Sequence, residues 1–544
     1  MEAHSTICPG CGLGCGLYLL REGATKSMIL HRKHSAVNAG KLCKFGMQIH
    51  RFYDRERLRT AVGGENVSEE EAVKEVRERL ETFRREEIAF LAVPSTLTNE
   101  EVLAFLSLVS ELRVENFSLG GFERFFSVAD SEIFAGKPLD EVERAHKLLL
   151  FFIDPFVQYP LLARRILRAK QKGGATIIDV SFAENERAKG IYDETILAEV
   201  GDMFRDFGEL ASEVANALLK DGDKLENALI LADMNPLSPP EFVSATISLA
   251  KETKSQVFFL KPFLNANGAN LISASMKMRG RDIFEILNDV KEGKIKCLFM
   301  LETGLFDCGF GKDALTSGNL EFLVVQDAFR SEISDIADIT ICSEPFFLKR
   351  GTVVNVEGRV LSAGGDSQRT VEILERMSGA GRTYEEVQEE VFKRLGISKL
   401  NEYESFVSAF VGSSEEKWKE GKTAEKKEAA SKEKKAGETK TREEEAGTIT
   451  QLLWLKTSPF FWHLPEEMRK GGSGKRKEEA IVEISPSLAG RLNLFRGERL
   501  EIQHKGERMR VAFRIAEIPS YLMISSDRIA RDGILLSVKV RKAR

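Results

Sequence analysis

With 544 residues, 42% hydrophobic and 30% charged, the chain exceeds one ordinary core and reads as a globular protein of three or four domains. Its net charge of −5 carries no polyanion-binding signature, which argues against nucleic acid as a partner. No window approaches the continuous apolar run of a membrane span; the run at residues 148–153 is short and ends at Asp154-Pro155. The first cysteine stands at residue 8, which leaves no room for a secretory or twin-arginine leader, so a cytoplasmic location with reduced thiols is expected.

Residues 1–56 read as a cysteine module. Cys8, Cys11, Cys15 and Cys43 fall at C-x2-C-x3-C-x27-C spacing, four of the seven cysteines in the chain. Glycines at 10, 12, 14 and 16 let the backbone fold closely around whatever the sulfurs hold. Such a cage takes tetrahedral zinc or an iron–sulfur cluster. Zinc sites of four cysteines usually pair two C-x2-C knuckles, whereas three thiols from one loop and a fourth from outside suit a [4Fe-4S] cubane. Residues 16–20 and 26–30 read as a hairpin that accounts for the gap before Cys43, in a small domain held together more by its cluster than by a core.

From residue 57 to 411 apolar strands alternate with amphipathic helices. Residues 69–86 and 99–112 have helical spacing, and 159–171 again. Strands are expected at 88–93, 147–153, 175–180, 228–231, 256–260, 297–301 and 322–325, each followed by a polar, Pro- or Gly-containing loop. This pattern implies a doubly wound parallel-sheet α/β body whose ligands sit at the carboxyl ends of the strands. Residues 412–447 are a Lys/Glu/Ala mixture with no apolar face; they read as a solvated linker, with a partner-binding helix as the alternative. From 448 to 544, short strands at 450–455, 480–484, 499–504, 509–515 and 534–540 predict a small C-terminal β-barrel.

Three segments carry a resemblance. They are Ile7-Cys-Pro-Gly-Cys-Gly-Leu-Gly-Cys-Gly16 with Val37-Asn-Ala-Gly-Lys-Leu-Cys-Lys-Phe-Gly46, then Ala337-Asp-Ile-Thr-Ile-Cys-Ser-Glu-Pro345 through Gly351-Thr-Val-Val-Asn355-Val-Glu-Gly-Arg359, and Val482-Glu-Ile-Ser-Pro-Ser-Leu-Ala489 with Arg496-Gly-Glu-Arg-Leu-Glu-Ile502. Together they resemble the molybdopterin oxidoreductase family, which includes formate dehydrogenases, nitrate reductases and the large iron–sulfur subunit of respiratory complex I. The resemblance implies that Cys8, Cys11, Cys15 and Cys43 ligate a [4Fe-4S] cluster. It places Lys44 inward, between cluster and pterin, where a cation stabilises the electron-rich states of both. It further implies that Asp154, Asp179, Asn235, Gly304, Gly351, Thr352 and Asn355 face molybdopterin guanine dinucleotides carrying Mo or W, with the barrel closing over them.

One departure stands out. Catalytic members supply the metal with a Cys, selenocysteine, Ser or Asp soon after the second strand, and here residues 113–124 contain no Cys and no His. Ser118 and Glu115 are the oxygen-bearing substitutes. Cys297 and Cys342 read as small core residues, and Cys308 as an outside candidate. Three readings stay open: an electron-transferring iron–sulfur subunit, a catalytic Mo/W enzyme resembling formate dehydrogenase, and a structural subunit whose cage holds zinc. There is no second C-x2-C set, P-loop or dinucleotide fingerprint, so partner subunits carrying further Fe–S clusters or flavin are expected.

Overall fold

The computed structural model describes residues 2–22, 26–125, 136–181, 190–198, 228–302 and 312–407, and, with gaps, 448–542, apart from isolated positions. Asn235, Gly304, Cys308 and the segment 412–447 lie outside the described residues. The chain forms two compact units, one containing Met1–Val407 and the other the C-terminal strands.

In the first unit β1 (Glu2–Ile7), β2 (Gly16–Glu22) and β3 (Lys26–His31) form an antiparallel sheet with β2 in the middle. The hairpin β2–β3 is the one expected from the sequence; β1, a polar stretch, is not. Helix α1 (Lys44–Gln48) starts at Cys43, whose sulfur accepts the Gly46 N–H.

The body strands are β4 (Ala61–Val62), β5 (Glu65–Asn66), β6 (Ile88–Ala92), β7 (Phe117–Ser118), β8 (Lys147–Phe151), β9 (Thr176–Ser181), β10 (Glu194–Leu197), β11 (Ala228–Asp233), β12 (Gln256–Leu260), β13 (Cys297–Leu301), β14 (Phe322–Asp327) and β15 (Ile339–Cys342). They divide between two sheets, β10-β9-β8-β11-β12 and β5-β4-β15-β14-β13-β6-β7. Both are parallel except for the edge strands β4 and β5. Strands β6, β8 and β13 are buried along their whole length, as continuous apolar runs in covered parallel sheets must be. Helices start where the sequence caps them. Ser68 and Glu71 form a capping box on α2 (Glu69–Leu80), and Thr98 and Glu101 form one on α3 (Asn99–Glu111). The strand order reverses between β8 and β11 and again between β6 and β13. Each reversal is a switch point, where crevices open at the carboxyl ends.

The cysteine module does not stand apart. Leu13, Leu17 and Leu19 share one hydrophobic core with Leu148 of β8, Phe258 of β12 and Leu264 beyond it. A small domain held together more by its cluster than by a core was the expectation; burial of its apolar face against the body supplies a core as well.

In the second unit, strands Thr448–Leu455, Ile481–Ile484, Arg499–His504, Glu507–Ile515, Leu522–Ile524 and Leu535–Lys542 pair in the order first, fifth, second, fourth, third, sixth. The sixth returns to pair along the first from Thr448 to Trp454, so the ladder closes on itself.

Candidate metal centre and strand-end crevices

Cys8, Cys11, Cys15 and Cys43 line one small cavity together with Gly10, Leu42 and Gly46. The loop closes through the Cys8 N–H to Cys15 O, at 2.8 Å. The Gly10 and Gly46 N–H groups donate to the sulfurs of Cys8 and Cys43 at 3.4 and 3.5 Å. Burial, then the charge of Cys43, pushes the Cys8 thiol up to about 12. Burial followed by the charges of the other cage cysteines lifts Cys11 and Cys15 well above the ordinary thiol value. Four thiolates so placed repel one another unless a cationic centre stands among them. Among the described residues no three His, Cys, Asp or Glu side chains converge to hold a single ion. The thiols surround a void, an arrangement that fits a cluster better than one zinc.

Gly12 explains how the loop is held. A Cβ there would stand 2.2 Å from the Lys261 carbonyl oxygen and 2.5 Å from Val356 Cγ1, so only glycine admits this contact. Gly12 O accepts from the Val356 N–H at 2.9 Å, and Leu13 O accepts from Asn355 Nδ2, also at 2.9 Å. Asn38 braces the other side: its Oδ1 accepts the Gly16 N–H at 2.9 Å and its Nδ2 donates to Gly16 O at 3.0 Å. Asn38 was not singled out from sequence, although it lies inside the segment that carries the resemblance.

The expected dinucleotide contacts divide into groups. Asp154 caps a short helix through the Phe156 N–H, and Asp179 accepts from Ser181 Oγ; they belong to β8 and β9 or follow them at the carboxyl ends. Gly351, Thr352 and Asn355 are committed within the protein. Gly351 has φ +150°, and a Cβ would stand 2.7 Å from Glu100 Oε2 and from Thr98 Cβ. Thr352 donates from both N–H and Oγ1 to Glu100. Asn355 Oδ1 accepts the N–H groups of Glu357 and Arg359, each at 3.0 Å. Through these contacts Thr352 and Asn355 brace helix α3 and the cysteine loop. Lys44 is exposed at the start of α1.

At the second switch point the charges are internal. Lys349 Nζ, 2% exposed, donates to Glu302 Oε1 at 2.6 Å, Thr96 O at 3.0 Å and Glu101 Oε2 at 3.1 Å. Thr96 Oγ1 donates to the other oxygen of Glu302 at 2.7 Å. Burial raises Glu302 to about 7, even beside the Lys349 cation. Gln326, fully buried near the end of β14, has neither amide atom paired, and a polar ligand at these strand ends would satisfy it.

Ser118 is fully buried at the end of β7. It donates to Glu123 Oε2 at 2.9 Å and accepts the Gly121 N–H at 3.2 Å, and Leu119 N–H donates to the other Glu123 oxygen. Gly120 and Gly121, at φ +82° and +87°, turn the chain against Pro94, Phe263 and Pro236. The hydroxyl is engaged on both sides by its own loop. Cys297 is wholly buried in β13, as expected of a core residue, whereas Cys342, at the end of β15, is only partly buried and its sulfur accepts from Arg57 Nη2 at 3.5 Å.

Two predictions follow from these contacts. Asn355→Ala removes a donor and an acceptor at a fully buried hub, and urea unfolding should show a loss of about 2–3 kcal/mol. Glu123 is raised to about 7, chiefly by burial, so its ionisation opposes folding. That contribution is favourable while Glu123 is protonated and declines as pH rises from the unfolded value near 4.5 through about 7. Glu123→Gln should therefore gain stability relative to the parent as pH is raised from about 5 to about 8. An unchanged difference would show that Glu123 is not buried as described.

Residues 64–372 match the family model of the molybdopterin oxidoreductases, and residues 1–55 match that of the molybdopterin oxidoreductase Fe4S4 domain. The chain is 30% identical over 206 residues to the F420-dependent formate dehydrogenase 1 subunit alpha of Methanococcus maripaludis, covering 34% of this chain and 30% of that one. It is 22% identical over 423 residues to NADH-quinone oxidoreductase subunit 3 of Thermus thermophilus, covering 70% and 51%. The chain thus spans from under a third to about half the length of these relatives. The fold is similar to that of acetylene hydratase from Pelobacter acetylenicus, with a TM-score of 0.59 at 12% identity over 99% of this chain and all of that one. The matched domains are those of a [4Fe-4S] cluster and a molybdopterin cofactor with Mo or W. The chain belongs to the molybdopterin oxidoreductase family.

Proposed function

We propose that this chain is an iron–sulfur subunit of molybdopterin type that passes single electrons through one [4Fe-4S] cluster to neighbouring redox subunits. The observation that carries this reading is the braced four-thiol cage around a common cavity. Cys8, Cys11, Cys15 and Cys43 hold the cluster, which supplies one-electron chemistry when bound. The protein keeps water from three of the sulfurs by burying them and directs the Gly10 and Gly46 N–H groups at two of them.

The domain reading is 1–56 for the cluster domain, 57–411 for the α/β body, 412–447 for a charged linker and 448–544 for a dinucleotide-binding-like barrel. Asp154, Asp179 and the unpaired Gln326 favour a polar ligand at the strand ends, which suits a pterin dinucleotide. The engaged hydroxyl of Ser118 weighs against a protein-ligated metal there, and hence against the formate dehydrogenase-like alternative. The relatives are named as subunits, which supports partners carrying Fe–S clusters or flavin. Among the described residues no helix is long and apolar enough to cross a membrane.

Strictly anoxic purification of the full chain tests the proposal. About four iron and four sulfide per chain with a broad visible absorption are expected. Cys11→Ser should lose both while residues 57–407 stay folded by circular dichroism, and Ser118→Ala should leave all metals unchanged at a stability cost of about 1–3 kcal/mol. One zinc and no colour would overturn the cluster. Stoichiometric Mo or W lost on changing Ser118 would overturn the relay in favour of a catalytic centre.

A further inference from the structure

Charge on this chain is distributed unevenly. Residues 23–53 contain six Lys and Arg and no Asp or Glu, on a chain whose net charge is −5. Arg32 is tied to Glu402 at 2.6 Å. Lys33, Lys41, Lys44 and Arg51 are exposed and have no ion-pair partner among the described residues. Basic side chains held this way are neither compensated internally nor needed for the fold, so their field is directed at solvent.

An apolar patch lies in the same segment. Eight large hydrophobic side chains are exposed among the described residues, and three belong here: Met28 at 54%, Leu30 at 42% and Met47 at 41%. Strand alternation turns Met28 and Leu30 outward while Ile29, 6% exposed, faces the core. Their strand β3 is an edge of its sheet. It is held beside α1 and the turn after it by Ser27 Oγ donating to His50 O, and by a 2.6 Å hydrogen bond between His31 Nδ1 and Gly40 O. Met47 lies on α1, four residues beyond Cys43. Apolar side chains within a basic rim have the anatomy of a transient interface, and methionine adapts readily to a partner's surface.

The location of the patch indicates its use. Of the four cage thiols, Cys8, Cys11 and Cys15 are buried and Cys43 alone is partly exposed. Leu42, Cys43 and Gly46 form the wall of the cage that belongs to this segment. A partner seated on α1 and β3 would therefore bring its own redox centre up to the thinnest wall of the cage.

We propose that the surface formed by Met28, Leu30 and Met47, rimmed by Lys33, Lys41, Lys44 and Arg51, docks an electron-transfer protein that is acidic around its own redox centre. The proposal rests on the cluster reading and specifies the partner for it. One electron crosses the interface, oxidising the donor centre and reducing the acceptor. The basic rim steers encounter and sets register, and the apolar centre lengthens the lifetime of the complex.

The test uses the full chain with its cluster, and a small acidic ferredoxin carrying [4Fe-4S] clusters as the probe. Cluster reduction by the reduced ferredoxin is followed by stopped flow, and binding of the oxidised ferredoxin by calorimetry, which needs no electron transfer. The variants are Lys33→Glu/Lys41→Glu/Arg51→Glu and Met28→Ser/Leu30→Ser, each checked for iron content and cluster spectrum. At low salt the charge-reversal variant should react about tenfold or more slowly and bind more weakly, and only the parent should slow steeply as salt is added. The serine variant should bind more weakly at all salt concentrations. A basic cytochrome should react no more slowly with the charge-reversal variant than with the parent.

Equal ferredoxin rates and affinities in parent and variants would overturn the proposal. So would a serine variant that turns a dimer into a monomer while exchange is unchanged, because the patch would then belong to a second copy of this chain. A parent that holds no cluster at all overturns the electron-transfer reading itself, and the iron analysis separates that failure from a failure of docking.

Discussion

The structure depends on holding four thiols, three of them buried, around a shared centre. Burial drives each toward its protonated form, and the charges of neighbouring cysteines raise Cys8, Cys11 and Cys15 further. A loop under such repulsion needs rigid external supports, and the chain supplies them from far away. Asn355, 342 residues beyond Leu13, holds its carbonyl, while Val356 holds that of Gly12. Asn355 is itself fixed by the N–H groups of Glu357 and Arg359, and Asn267 donates to its carbonyl at 2.8 Å. The two ends of the first unit are tied together at the cage, which is why the cysteine module shares the body's core.

The same economy of polar groups governs the strand ends. An isolated buried cation or carboxylate costs several kcal/mol, and Lys349 is tolerated only because Glu101, Glu302 and Thr96 surround it. Glu302 adopts φ +60° to take part, a left-handed conformation that a non-glycine residue holds only when its surroundings demand it. Glu100 is likewise buried and raised to about 7, and its oxygens hold the backbone that leads into the brace. The crevice between β6 and β13 is thus a load path from α3 through Thr352 to the cysteine loop.

Much of this was legible in the residues. Continuous apolar runs marked β6, β8 and β13, and β13 has the bounds that its pattern predicts, because a strand covered on both faces has nowhere to place a polar side chain; β12 also keeps its predicted bounds, although it opens on the exposed Gln256. The cage cysteines were legible from spacing alone. What stayed hidden was direction. Lys44 follows Cys43 in the chain, and position in a motif does not say which way its side chain turns. Thr352 and Asn355 stand in a recognisable motif, but a motif does not reveal whether its polar atoms face a ligand or the protein. Lys349, Glu101 and Glu302 look like surface charges in isolation and become a cluster only when three distant segments meet. β1 was missed because Glu2–Ile7 mixes polar and apolar residues without a clear period.

These placements bear on what the chain can do. In the stretch 113–124, which contains no Cys and no His, Ser118 already serves Glu123 and Gly121, so its oxygen is held in the loop that it stabilises. Freeing it would unpair a buried carboxylate, a cost that ligand exchange would have to repay. Around the cage the balance is reversed. Burial raises the cage thiols, and the rim lysines and Arg51 have no ion-pair partners among the described residues. The cage and the uncompensated basic side chains thus share one short segment of the chain, the arrangement that the proposed electron port requires.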